Sequence, residues 1–192
     1  MVLDGNDREV IEGCQRGDYD AFRVLFETNQ DRVYSIALRY SGDPAAAMDI
    51  AQETFLKVWA SIGDFRGDSS FESWLYRIVV NRCLDYRRRG RRWMPFLSGL
   101  LDAVVTPAES VLHKLMRAEV EDDVQRIVGK LPAEQRIVVV LRYTEGLSYE
   151  EIADVVGCSA GTVASRLNRA HKLLERRLAH LKKDARRSGH VG

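Results

Sequence analysis

At 192 residues, with 45% apolar and 30% charged side chains, the chain has room for one large or two small cored domains and is too apolar to be disordered. Its formal net charge of +1 hides a segregation: Arg82, Arg87, Arg88, Arg89, Arg91 and Arg92 form one basic block and residues 166–187 another, while acids gather at 43–72 and 119–123. No apolar run approaches the roughly 20 residues of a membrane helix, and Asp4, Asp7 and Glu9 spoil a signal-peptide pattern, which predicts a cytoplasmic protein without membrane insertion.

From residue 19 to 92 the apolar spacing is helical. Phe22, Leu25 and Phe26 mark a first helix, and Val33, Ile36, Ala37 and Tyr40 a second. Asp43 and Pro44 supply an N-cap and a first-turn proline for a third helix, running to about Ile62. A loop at 63–69 follows. Ser69 and Glu72 have the spacing of a capping box, opening a fourth helix that carries Phe71, Trp74, Leu75, Ile78 and Val79 before an arginine-rich end. With no strand-like alternation, the fold class predicted is all-α: two small helical domains joined by a linker.

Between residues 90 and 108, Gly90, Pro95, Gly99 and Pro107 break any regular element. Trp93, Met94, Phe96, Leu97, Leu100, Leu101, Val104 and Val105 make this segment too apolar for a plain tether; it either folds onto a domain or docks on a partner. Helix resumes near Val111, runs past Arg126, breaks between Gly129 and Pro132, and continues through Ile137, Val138, Val140, Leu141 and Tyr143 to Gly146.

Residues 148–177 carry the strongest local signal. Ser148 and Glu151 form a capping box, and the helix they open has Ile152, Ala153 and Val156 on one face. Gly157 stands where that helix must end in a left-handed turn, and Val163 anchors the next helix inward. This is the spacing of a helix-turn-helix. On its second helix Val163, Leu167, Ala170, Leu174 and Leu178 form one stripe, while Ser165, Asn168, Arg169, Lys172 and Arg176 point away. Such a face can bond phosphates and base edges in a major groove; the competing reading is a solvated basic face on an ordinary bundle. The tail after Leu181 is expected to fray.

Cys14, Cys83 and Cys158 fit neither a disulfide framework nor a zinc motif and are read as buried or incidental thiols. His113 with Glu109 and His171 with Glu175 each give two ligands without a third, so no metal is expected. No nucleophile and base pair or phosphate loop appears, so no enzyme and no cofactor is expected.

Three strings in order, Asp49-Ile50-Ala51-Gln52-Glu53-Thr54-Phe55, Phe65-Arg66-Gly67-Asp68-Ser69-Ser70-Phe71 with Trp74-Leu75 and Asn81, and Gly161-Thr162-Val163 with Ser165-Arg166, resemble the bacterial extracytoplasmic-function sigma factors of the sigma-70 family. The resemblance implies a region 2-like domain at 18–92, a linker at 93–110 and a region 4-like domain at 111–181. It implies that Asp49, Gln52, Glu53 and Phe55 dock on the clamp helices of the polymerase β′ subunit, with the β flap a second contact. It implies that Asp64, Phe65, Arg66, Gly67, Ser69, Ser70, Phe71, Trp74, Asn81, Arg82, Arg87 and Arg88 handle the minus-10 element, where an unstacked base is held in a pocket. By spacing, however, Trp74 belongs with Phe71, Leu75 and Ile78 as core. For the minus-35 duplex the implied set is Ser148, Tyr149, Thr162, Ser165, Arg166, Asn168, Arg169 and Lys172. Ala164 departs from the lysine or arginine of many relatives, so the recognised sequence cannot be copied from one.

The implied partners are core RNA polymerase, promoter DNA and an anti-sigma factor, with the protein a monomer within the holoenzyme. The competing class is a dimeric helix-turn-helix repressor or activator, which leaves the pattern at 49–81 without a purpose.

Overall fold

A computed structural model describes residues 5–89 and 125–188, and every regular element among them is helical. The linker at 93–110, the helix start near Val111 and the His113–Glu109 pair lie outside the described residues.

Helix α1 (Gly5–Gln15) adds to the expected elements. It buries little besides Ile11 and Cys14, so its apolar period is faint. It lies close on the next helix because of Gly13, where a Cβ would stand only 2.6 Å from that of Ala21. Helix α2 (Tyr19–Ser41) is one continuous element where the sequence predicted two. Nothing between Phe26 and Val33 breaks it: the Asn29 amide donates back to the Leu25 carbonyl at 2.8 Å, within the helix, instead of starting a turn.

Helix α3 (Pro44–Ser61) starts as the sequence dictates, the Ala45 amide donating to Asp43 Oδ1 at 3.0 Å. A 3-10 turn, Ile62–Asp64, leads into the loop. Helix α4 (Phe71–Arg89) is capped by Ser70, not Ser69: the Ser73 amide donates to Ser70 Oγ at 3.1 Å. Glu72 does not close a capping box, because its carboxylate pairs with Arg32 of α2, 40 residues away. Leu25, Phe26, Ile36, Ile50, Phe55, Val58, Leu75 and Val79 fill the space between α2, α3 and α4, with Phe26 and Phe55 rings 4.6 Å apart. Cys14 and Cys83 sit in this core; burial pushes their thiols up to about 11 and about 12, so both stay protonated.

In the second lobe residues 125–129 are helical, a break follows, and α5 (Ala133–Thr144), α6 (Tyr149–Val156) and α7 (Ala160–Ser188) form a three-helix unit. Helix α7 continues past Leu181, where fraying was expected; its residues are strong helix formers.

The two lobes touch through α2, α4, α5 and α6, and their buried residues form one cluster. Polar contacts thread the boundary. Arg136, 6% exposed, donates to the Tyr40 carbonyl at 2.8 Å and to the carbonyls of Leu131 and Gly129. Gln125 donates to the carbonyls of Leu38 and Arg39 at 3.0 and 2.8 Å, so second-lobe side chains satisfy the end of α2. The Tyr76 hydroxyl donates to Glu145 at 2.8 Å, with Arg32 3.7 Å from the same carboxylate. Burial first, and that hydrogen bond second, raise the Tyr76 pKa, keeping the phenol a donor.

Candidate nucleic-acid interface

The helix-turn-helix is built as its residues predict. The Ser148 amide donates to Glu151 Oε2 at 2.7 Å and the Glu151 amide to Ser148 Oγ at 3.2 Å, completing the capping box. These bonds hold the Glu151 carboxyl below its ordinary range. Gly157, at φ +68, closes α6 in the left-handed region, and its amide reaches the Ala153 carbonyl. Val155 rather than Val156 joins Ile152 and Ala153 in the buried set. Ser159 caps α7, accepting from the Thr162 amide at 3.2 Å, and its hydroxyl lies 2.9 Å from that of Thr162.

Along α7, Val163, Leu167 and Ala170 are at most 1% exposed and Leu174 is half-buried, whereas Leu178, at 39%, has left the core. Asn168, Arg169, Lys172 and Arg176 are exposed, and Ser165 is half-buried. Arg166 differs from its neighbours. Its side chain is 21% exposed, its Nη2 stands 2.5 Å from Glu134 Oε2 of α5, and its Nη1 stands 3.7 Å from Cys158 Sγ. Ser148 is committed to the cap, and Tyr149, at the lobe surface, lies under the Arg142 guanidinium, 5.5 Å from ring centroid to carbon. His171 pairs with the Tyr143 hydroxyl at 2.7 Å rather than with Glu175.

In the first lobe, the loop between α3 and α4 forms a rim backed by three rings. Phe65, Phe71 and Trp74 have centroids 5.3 to 5.9 Å apart; Phe71 is 8% exposed and Trp74 half-buried, so Trp74 packs as spacing predicted while keeping an edge at the surface. Asp64, Arg66, Gly67 and Asp68 are exposed, and Ser69 and Ser70 half-buried. Gly67 takes φ +78, a conformation side chains resist. Sequence reasoning missed Gln15 of α1. Its amide donates to the Ile62 and Phe65 carbonyls at 3.2 and 2.8 Å and so fixes the start of the rim. No local pattern pairs residues 50 apart.

Asn81 and Arg88 are exposed on α4, and the Arg87 side chain lies outside the described residues. Arg82 is 23% exposed, with Glu53 at 3.8 Å and Asp85 at 3.9 Å. On α3, Glu53 is exposed and Asp49 and Gln52 half-buried, while burial, then the charge of Asp43, raises the Asp49 pKa. Phe55 is 1% exposed against Phe26, so this expected contact residue lies beneath the face instead of on it.

Family models match in two places: Sigma-70 region 2 over residues 25–93 and Sigma-70 region 4 over residues 121–174. The RNA polymerase sigma-H factor of Pseudomonas aeruginosa is 36% identical over 96% of this chain and the whole of its own length. The chain belongs to the sigma-70 family. Within it, this sigma factor is of the extracytoplasmic-function type: the ECF RNA polymerase sigma-E factor of Escherichia coli is 36% identical over 91% of this chain and 95% of its own. Among solved structures, CnrH in complex with the cytosolic domain of CnrY matches with TM-score 0.66 and 27% identity, covering 91% of this chain and 98% of that one. The sigma factor RpoE in complex with the anti-sigma factor NepR from Bartonella quintana matches with TM-score 0.60 and 26% identity, covering 82% and 96%. As a sigma factor, the protein directs promoter-specific initiation by RNA polymerase. No described helix is long and apolar enough to cross a membrane.

Proposed function

We propose that the two lobes divide initiation between them, the second holding the upstream minus-35 duplex and the first opening and holding the minus-10 strand, with no chemistry of the protein's own. The observation that carries this reading is the outward row on α7 of exposed Asn168, Arg169 and Lys172 with half-buried Ser165, set behind a glycine-closed turn on a buried aliphatic stripe. A rigid helix presenting amides and cations is what groove recognition requires. Thr162 and Tyr149 flank this row, and Ser148 contributes through the cap that orients α6.

In the first lobe the rim at Asp64, Phe65, Arg66, Gly67, Ser69 and Ser70, backed by Phe71 and Trp74, is the pocket for an unstacked base. Asn81 supplies an amide, and Arg82, Arg87 and Arg88 supply backbone contacts. Flipping a base costs a few kcal/mol, which stacking and hydrogen bonds offset. Asp49, Gln52 and Glu53 form the acidic face for the β′ clamp helices, and the second lobe meets the β flap. The promoter elements lie about 50 Å apart on duplex DNA at about 34 Å per turn. The lobes pack together in this structure, so occupying both elements requires them to part, and polymerase sets the spacing. The near-neutral net charge agrees with weak promoter binding by the free protein.

Regulation by an anti-sigma factor belongs to the same proposal. It is supported by the likeness to chains solved with CnrY and with NepR. Purification from native cells that yielded polymerase as the sole partner would count against it.

Run-off transcription from a genomic library, with core polymerase and with or without this protein, tests the main reading by defining both elements at once. Asn81→Ala is expected to impair opening more than closed-complex binding, and Arg169→Ala the reverse. Equal losses at both steps would overturn the division.

A further inference from the structure

Two polar ties run from α5 to α7, and they fall on opposite flanks of the stripe that α7 buries. Near the start of α5, Glu134 Oε2 meets Arg166 Nη2 at 2.5 Å; near its end, the Tyr143 hydroxyl and His171 Nε2 lie 2.7 Å apart. With 3.6 residues per turn, Val163, Leu167, Ala170 and Leu174 define one direction, and Arg166 and His171 each project about 70° from it, one to either side. The outward set projects farther, Asn168 and Arg169 by about 130° and Ser165 and Lys172 by about 170°. Arg166 therefore sits with the packing flank and not with the groove-facing row, and its contacts to Glu134 and Cys158 agree.

We propose that Glu134, Arg166, Tyr143 and His171 are positioning residues that fix the roll of α7 about its own axis, Arg166 bracing the reading helix instead of touching DNA. The inference rests on α7 being the duplex-reading helix. An aliphatic stripe holds two helices together, but its attraction is non-directional, so it resists separation better than rotation. A roll of about 20° would carry a side-chain tip about 2 Å, beyond the roughly 0.5 Å within which a recognition constellation must be held. Directional bonds on both flanks oppose roll in either sense, because turning that slackens one strains the other. Glu134 and Tyr143 are 62% and 64% exposed, so the ties add little to stability. Their effect is on aim.

The test uses holoenzyme assembled with core polymerase on a promoter mapped by run-off transcription. Binding is measured against salt, and against duplexes carrying single substitutions in the upstream element. Arg166→Ala and Glu134→Ala are each expected to lower the ratio of matched to substituted binding about threefold to tenfold, with the salt slope unchanged and the double variant no worse than either single. The reversed pair, Glu134→Arg with Arg166→Glu, is expected to restore the ratio. Tyr143→Phe, which keeps the ring, is expected to lower it without moving the thermal midpoint; an unchanged ratio would overturn the second tie. If Arg166→Ala instead reduces the salt slope by about one and Glu134→Ala tightens binding, the guanidinium is a phosphate contact and the proposal fails. Arg169→Ala is the control. If it leaves discrimination intact, α7 is not the reading helix and both readings fall; if it lowers discrimination while Arg166 behaves as a contact, this inference alone falls.

Discussion

The first lobe packs aromatic rings, with Phe26 on Phe55 in the core and Phe65, Phe71 and Trp74 behind the rim, whereas the described core of the second lobe is aliphatic from Ile137 to Ala170. The candidate contacts differ in the same way. Those of the first lobe are spread over a loop and two helices, and those of the second lie mainly on one face of one helix. Reading duplex DNA needs a row of side chains held at fixed pitch, which a helix on a close-packed stripe provides. Holding a displaced base needs a rim that can admit it and flat surfaces behind, which a glycine-bearing loop over rings provides.

The contrast can be broken at the point where the lobes meet. Arg136→Ala removes a buried cation and strands carbonyls of both lobes, so it is expected to cost about 3 kcal/mol in denaturant unfolding and to separate one transition into two. A single transition at an unchanged midpoint would show that Arg136 is not what couples the lobes. Gly157→Ala, forcing a side chain into φ +68, is expected to cost about 1 to 2 kcal/mol and to weaken upstream binding while sparing initiation on a premelted template.

The two caps sharpen the contrast. Ser70→Ala and Ser148→Ala should each cost about 1 kcal/mol by circular dichroism melts, the first depressing strand opening and the second duplex binding. Similar effects of both on a single step would blur the division. The smallest effect is expected at Asp49. Its folded pKa is raised, so the folded state holds that proton more tightly than the unfolded chain does. Stability is therefore lost as pH rises through the carboxylate range toward the folded value. Asp49→Asn should raise the melting temperature slightly at neutral pH, with the gain fading below the carboxylate range, and should weaken polymerase binding. Unchanged binding would remove Asp49 from the polymerase face.

Gln15→Ala tests a contact that no local pattern announced. Loss of its bonds to the Ile62 and Phe65 carbonyls should loosen the rim, seen as faster amide exchange at residues 63–67. Slower strand opening should accompany it.

The chain's own order of residues determined the all-α class, the cap and proline at Asp43 and Pro44, the helix-turn-helix with its capping box and Gly157, and the outward row on α7. Each is a relation between residues within about two helical turns, where periodicity and capping act. Tertiary structure alone decided that Ser70 rather than Ser69 caps α4, that Phe55 faces inward, that Gln15 pins the rim, and that Arg136 joins the lobes while Arg166 turns to Glu134. Those outcomes depend on partners between 29 and 96 residues away for Phe55, Arg166, Glu72, Gln15 and Arg136, and a side chain's choice among distant partners is made only once the helices have packed.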